Sequence, residues 1–149
     1  MYRKILVAID GSPTAQLALN EAIELAKALG STLRLIHVVD EGPAYLNVET
    51  TFQLEKFEQA LRLAGQAVID NAIAVVRAAG LNAESKIVEI VTLSDRVAGA
   101  VANEAEHWSA DLIVIGTHGR RGFHHLILGS VAEGVVRIVT KPVLLIRGQ

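Results

Sequence analysis

Two patterns of apolar residues alternate along this chain. Residues 4 to 9, KILVAI, form a continuous β-branched and aliphatic run that ends at Asp10-Gly11-Ser12-Pro13. An apolar run without polar alternation, stopped by turn formers, predicts a strand buried on both faces. Pro13 suits the first turn of a helix, and Ala18, Ala22, Leu25 and Leu29 then recur at helical spacing until Gly30 ends the element. The unit then repeats: TLRLIHVV (32 to 39) reads as a second strand, and Phe57, Leu61, Ala64, Val68, Ala72, Val75 and Ala79 mark a long amphipathic helix before Gly80. Thr50 with Gln53 offers that helix a cap. Between them, Asp40 to Thr50 contains Gly42, Pro43 and Asn47 and is expected to be a loop.

Residues 83 to 90, AESKIVEI, mix Glu84, Lys86 and Glu89 into an apolar strand, which suits the edge of a sheet better than its centre. Ser94 is a candidate cap for a third helix running through Val97, Ala98, Val101, Ala105 and Trp108. A fourth strand, Asp111 to Gly116, twelve irregular residues, a fourth helix from about Ser130 to Val139 and a last strand, Pro142 to Arg147, complete the chain. Strands alternating with helices of this length predict an α/β fold: an open parallel five-stranded sheet covered by helices on both faces, because only crossover connections can join parallel strands. Phe52, Phe57 and Trp108 sit at helical spacing and are expected in the core.

The chain has 149 residues, which fits one domain, 1 to 149, with no linker or low-complexity segment. Hydrophobic residues make up 51% and charged residues 20%, enough apolar material to fold without a partner. A net charge of −2 and no run of Lys or Arg longer than two argue against nucleic acid and against an anionic membrane. Zero cysteines exclude disulfides, thiolate zinc sites, Fe–S clusters and cysteine nucleophiles. The first apolar run is too short for a signal-peptide core or a membrane span, so a cytoplasmic location is expected.

In a sheet of this kind ligands bind beyond the carboxyl ends of the strands. The candidate loops are therefore Asp10 to Pro13, Val38 to Gly42, and Gly116 to Gly129. The last reads GTHGRRGFHHLILGS. Its glycines allow positive φ and close backbone approach, and the first free N–H groups of the following helix carry the positive end of its dipole, so the loop has the makings of an anion site. Arg120 and Arg121 add positive charge suited to a polyphosphate. His118, His124 and His125 share the loop, but adjacent histidines with no carboxylate among them are a poor metal set, and no metal site is expected.

The spacing Gly116-x2-Gly119-x9-Gly129-Ser130 resembles the ATP-binding signature of the universal stress protein family. KILVAIDGS, LRLIHVV and TKPVLLIR are similar to that family's first, second and last strands, in order over the whole chain. The resemblance implies an adenine nucleotide alpha hydrolase-like, Rossmann-like sheet of order 3-2-1-4-5 and an ATP, ADP or AMP ligand, with Mg²⁺ as a companion. It implies that Asp10 lies near ribose and adenine, that the main chain of Val38 reads the adenine edge, and that Gly116 and Gly119 pass the ribose and phosphates. Gly129, Ser130 and Val131 would cradle the phosphate tail, with His118 and Arg120 counted in the same cofactor-binding set. Thr92, Leu93 and Ser94 depart from the family's glycine-containing turn after the third strand.

Structural roles compete with these. Asp10 suits a turn cap, Ser130 with Glu133 suits a capping box, and His37, inside the second strand, suits a satisfied, partly buried histidine. The expected function is a nucleotide-binding stress-response regulator or switch with no catalytic residues, forming a homodimer through Val143, Leu144, Leu145 and Ile146 at a sheet edge. Two alternatives stand beside it: a slow ATPase or phosphotransfer enzyme, and a ligand-free dimeric stress protein. The chain lacks G-x-x-x-x-G-K-[ST], H-x-G-H and any paired carboxylates near the glycine loop, so turnover, if any, should be slow.

Overall fold

The computed structural model describes residues 1–46, 48–90, 96–118 and 128–148. Its strands are β1 (Lys4–Ala8), β2 (Thr32–Asp40), β3 (Ala83–Ile90), β4 (Leu112–Gly116) and β5 (Val143–Ile146). They form one sheet of order β3-β2-β1-β4-β5 in which every neighbouring pair is parallel. The expected fold and strand order are therefore met. The helices are α1 (Pro13–Leu29), α2 (Gly42–Leu46), α3 (Thr51–Ala78), α4 (Val97–His107) and α5 (Ser130–Ile138).

The central strands are apolar on both sides because both sides are covered. Ile5, Val7, Leu33, Leu35 and Val114 pack with Ala18, Leu19 and Ala22 of α1 and Ile69, Ala72 and Val76 of α3. Leu6, Ile36, Ile113 and Ile115 pack on the other face with Ala98, Val101 and Ala105 of α4 and Ala132 and Val135 of α5. At roughly 1.5–3 kcal/mol for each large side chain removed from water, these two layers hold the sheet together.

Local signals explain most boundaries. Ser12 is the N-cap of α1, its hydroxyl accepting from Ala15 N–H at 3.1 Å, and Gly30 ends the helix in the left-handed region at φ 66. Thr50 caps α3 by accepting from Gln53 N–H at 3.2 Å. Ser94 lies outside the described residues; Arg96 occupies the N-cap of α4 and makes no side-chain capping bond.

Three expectations are corrected. The Asp40 to Thr50 segment is not all loop: residues 42–46 form the short helix α2, since Pro is tolerated in a first helical turn. Phe52 and Phe57 are 64% and 47% exposed. The buried residues of α3 are Gly65, Ile69, Ala72 and Val76, all in its second half, so the earlier turns bury little, and Lys56 lies over the Phe52 ring at 4.7 Å. Trp108 is buried as expected. Finally, Ser130 and Glu133 form no capping box. Gly129 is the N-cap of α5, no side-chain bond caps it, and Glu133 accepts from Arg137 at 2.7 Å.

Beneath α4, the buried carboxylate of Glu104 accepts from Arg34 at 2.5 Å and Lys86 at 2.6 Å. Burial opposes its ionisation, but the bonds from Lys86 and Arg34 outweigh that and hold its carboxyl below the usual range. Arg34 also pairs with Glu84 on β3. The charged residues of β3 thus mark an edge and fasten a helix to it. Among the described residues no helix is long and apolar enough to cross a membrane.

Candidate functional site

The carboxyl ends of β1, β2 and β4 open onto a cavity of about 660 Å³. Asp10 and Val38 line it from β1 and β2, Gly116 and His118 from the end of β4, and Gly129, Ser130 and Val131 from the start of α5. Residues separated by more than 100 positions thus meet at the point where the strand order reverses on either side of β1. Gly119 and Arg120, like Arg121, His124 and His125, lie outside the described residues.

Each wall has a main-chain cause. Asp10 follows the last residues of β1, and its Oδ1 accepts from Ser12 N–H at 2.9 Å. The turn-capping role and the cavity position therefore coexist. The backbone of Val38 lies just past the end of the β1–β2 ladder. The last rung from β1 to β2 runs from Ile9 N–H to Ile36 C=O at 2.9 Å. Main-chain groups alternate sides along a strand, so the N–H and C=O of Val38, two residues further on, also face β1, beyond that rung.

Gly116 and Gly129 are needed for close approach, not for positive φ. A Cβ on Gly116 would lie 2.8 Å from Thr14 Cγ2 and 3.1 Å from the Thr14 carbonyl carbon, and one on Gly129 would lie 2.8 Å from Thr117 O. Gly129 has φ −72 and ψ 161. Its N–H donates to Thr117 C=O at 2.6 Å, while Thr117 N–H donates to Ile146 C=O at 2.8 Å. Thr117 therefore ties β5, the end of β4 and the start of α5 together.

That tie aims α5 at the cavity. The first helical bond of α5 runs from Glu133 N–H to Gly129 C=O, so the N–H groups of Ser130, Val131 and Ala132 precede the helical ladder and carry the positive end of its dipole. The described lining contains no Lys or Arg; its electropositive end is main chain. An anion at α5 and a polar edge at Val38 are what this arrangement can hold.

Sequence reasoning missed Thr117, Ile9 and Gly65, which also line the cavity or shape it. Thr117 acts through its backbone, which no side-chain motif announces. His37 makes the satisfied bond expected of it, 2.8 Å from Nδ1 to Ile9 C=O, and it also lines the cavity. Beside the site, Glu41 is buried, with Oε1 lacking a hydrogen bond and 3.5 Å from Arg62 Nη2. Burial, then Glu58 and Glu89, push its carboxyl above the usual range against the pull of Arg62.

The family model for universal stress proteins matches residues 1–147. The chain is 31% identical to universal stress protein MJ0531 of Methanocaldococcus jannaschii over 99% of its own length and 83% of that protein's. Among solved structures, the protein MJ0577 superposes with a TM-score of 0.85 at 26% identity, covering 100% of this chain and 98% of that one. The universal stress protein from Archaeoglobus fulgidus in complex with dAMP shares the fold, with a TM-score of 0.69 at 23% identity over 97% and 98% of the two chains.

Proposed function

Because this chain belongs to the universal stress protein family, we propose that it is an ATP-binding member that works as a nucleotide-dependent switch. The observation that carries the reading is the meeting of Asp10, Val38 and the start of α5 on one cavity. The three offer what the three parts of a nucleotide require. The Val38 N–H and C=O suit the donor and acceptor on an adenine edge, the Asp10 carboxylate can accept from ribose hydroxyls, and the N–H groups of Ser130 and Val131 suit phosphate oxygens. A cavity of about 660 Å³ lies within the usual range for small-molecule sites. The Archaeoglobus fulgidus protein in complex with dAMP supports the view that this fold accepts an adenine nucleotide.

The start of α5 adds to this, since its N-cap is Gly129, which has no side chain to bond the first helical N–H groups, and those groups suit a phosphate. By the family's glycine signature Gly119 and Arg120 are assigned to the phosphates, with Mg²⁺ as counter-ion; His118 lines the cavity. Binding rather than turnover is the function, in a cytoplasmic homodimer formed through β5. That strand is at a sheet edge with all four residues half-buried, a surface suited to pairing with a second copy.

Calorimetric titration of the purified protein with ATP and Mg²⁺ tests the reading. Saturable binding near one nucleotide per chain is expected, weakened by Asp10→Ala. A parent protein that gives no heat and no shift in melting temperature with ATP, ADP or AMP overturns it.

A further inference from the structure

In a parallel ladder the rungs recur every second residue. After the rung from Ile9 N–H to Ile36 C=O, 2.9 Å long, the next would run from Val38 N–H to Ile9 C=O. That carbonyl instead meets the imidazole of His37, 2.8 Å from Nδ1. A carbonyl only accepts, so the neutral ring must carry its proton on Nδ1 and leave Nε2 as an acceptor.

The ring is fixed from its other side by α3. A Cβ on Gly65 would come within 3.0 Å of His37 Cδ2, 3.3 Å of Nε2 and 3.0 Å of Val39 Cγ2. Glycine at this position lets the helix backbone close directly on the imidazole. His37 is thus clamped between the last carbonyl of the β1 side and a helix, with Val38 next to it in the chain.

We propose that His37 is a positioning residue for the base: by holding Ile9 C=O it ends the β1–β2 ladder one rung early and leaves the Val38 N–H open to an acceptor on an adenine edge. The proposal rests on the adenine-nucleotide reading above. It assigns to an inward-facing side chain, away from the phosphate end, the selectivity for nucleotide over bare polyphosphate. The imidazole need not touch the ligand. Its effect passes through the peptide between Ile9 and Asp10, whose carbonyl it holds, and through the Val38 N–H that this carbonyl would otherwise accept from.

Titrations with ATP and with inorganic tripolyphosphate separate the base end from the phosphate end. In His37→Leu the ratio of ATP to tripolyphosphate affinity should fall about tenfold, the worth of roughly one hydrogen bond. His37→Asn, which keeps an N–H donor at the position of Nδ1, should recover most of that ratio. Equal losses in the two variants would assign the ring a packing role and overturn the proposal, as would an unchanged ratio in His37→Leu. A parent that does not bind ATP overturns the underlying reading as well, so the two failures are distinguishable. Should neither variant fold, ¹⁵N resonances of the parent imidazole decide: the Nδ1–H tautomer is expected, and an Nε2–H tautomer overturns the proposal.

Discussion

Replacing Gly129 with Ala tests how the start of α5 is held. The new Cβ would stand 2.8 Å from Thr117 O, a distance at which one backbone segment must move. The same carbonyl accepts from Gly129 N–H at 2.6 Å, so relieving the clash stretches the bond that joins β4 to α5. Losing a net hydrogen bond costs about 0.5–1.5 kcal/mol, and forcing extra volume into a tight contact costs about 1–3 kcal/mol. Against this, φ −72 and ψ 161 suit alanine, and a less flexible unfolded chain returns about 0.4–1 kcal/mol. The net expectation is destabilisation by about 1–3 kcal/mol, or roughly 2–12 °C for a domain of this size. Scanning calorimetry reads the first effect and titration with ATP the second, because α5 no longer points its N–H groups at the same place. A Gly129→Ala protein that melts at or above the parent and binds ATP equally would refute the reasoning.

Other expectations follow from charge and edge. Burial, then Glu58 and Glu89, raise the Glu41 carboxyl, so the fold disfavours its charged form relative to the unfolded chain; the stability it supplies is present below the ordinary carboxylate range and is lost as pH rises through its own higher value. Glu41→Gln should therefore melt above the parent at pH 7.5, with the gap closing toward pH 4, and a parallel pair of melting curves would count against this. Glu104 is lowered, so its sign is opposite: its contribution is present above the ordinary range and lost as pH falls below it. Glu104→Gln should melt below the parent at neutral pH and approach it in acid. Leu144→Lys, on β5 at the sheet edge, should convert a dimer to a monomer in sedimentation at micromolar concentration; a parent already monomeric there would remove the β5 dimer.

The fold was legible because its cause lies in the strands themselves. KILVAI and LIVIG are apolar at every position, which only a strand covered on both faces tolerates, and the charges of β3 announced the edge. Contacts made at a distance were less visible. Periodicity put Phe52 and Phe57 on an apolar stripe without saying that the first half of α3 buries little. A Ser three residues before a Glu fits a capping box, yet Gly129 took the cap because Thr117 C=O captures its N–H. The glycine spacing was read partly through positive φ, whereas Gly116 and Gly129 answer to crowding by Thr14 and Thr117. His37 was legible as a satisfied histidine, but its partner, and so its place beside Val38, depends on where β1 ends.

The central claim is that one cavity takes a whole adenine nucleotide, base at Val38 and phosphates at α5. Amide resonances of the ¹⁵N-labelled protein, followed as ATP and Mg²⁺ are added, test it residue by residue. The account predicts saturable shifts at Asp10, Val38, Gly116, Ser130 and Val131 together, at one common affinity, with AMP still moving Val38 but moving Ser130 and Val131 less. Shifts confined to other surfaces, or an unmoved Val38 while the start of α5 responds, would contradict it.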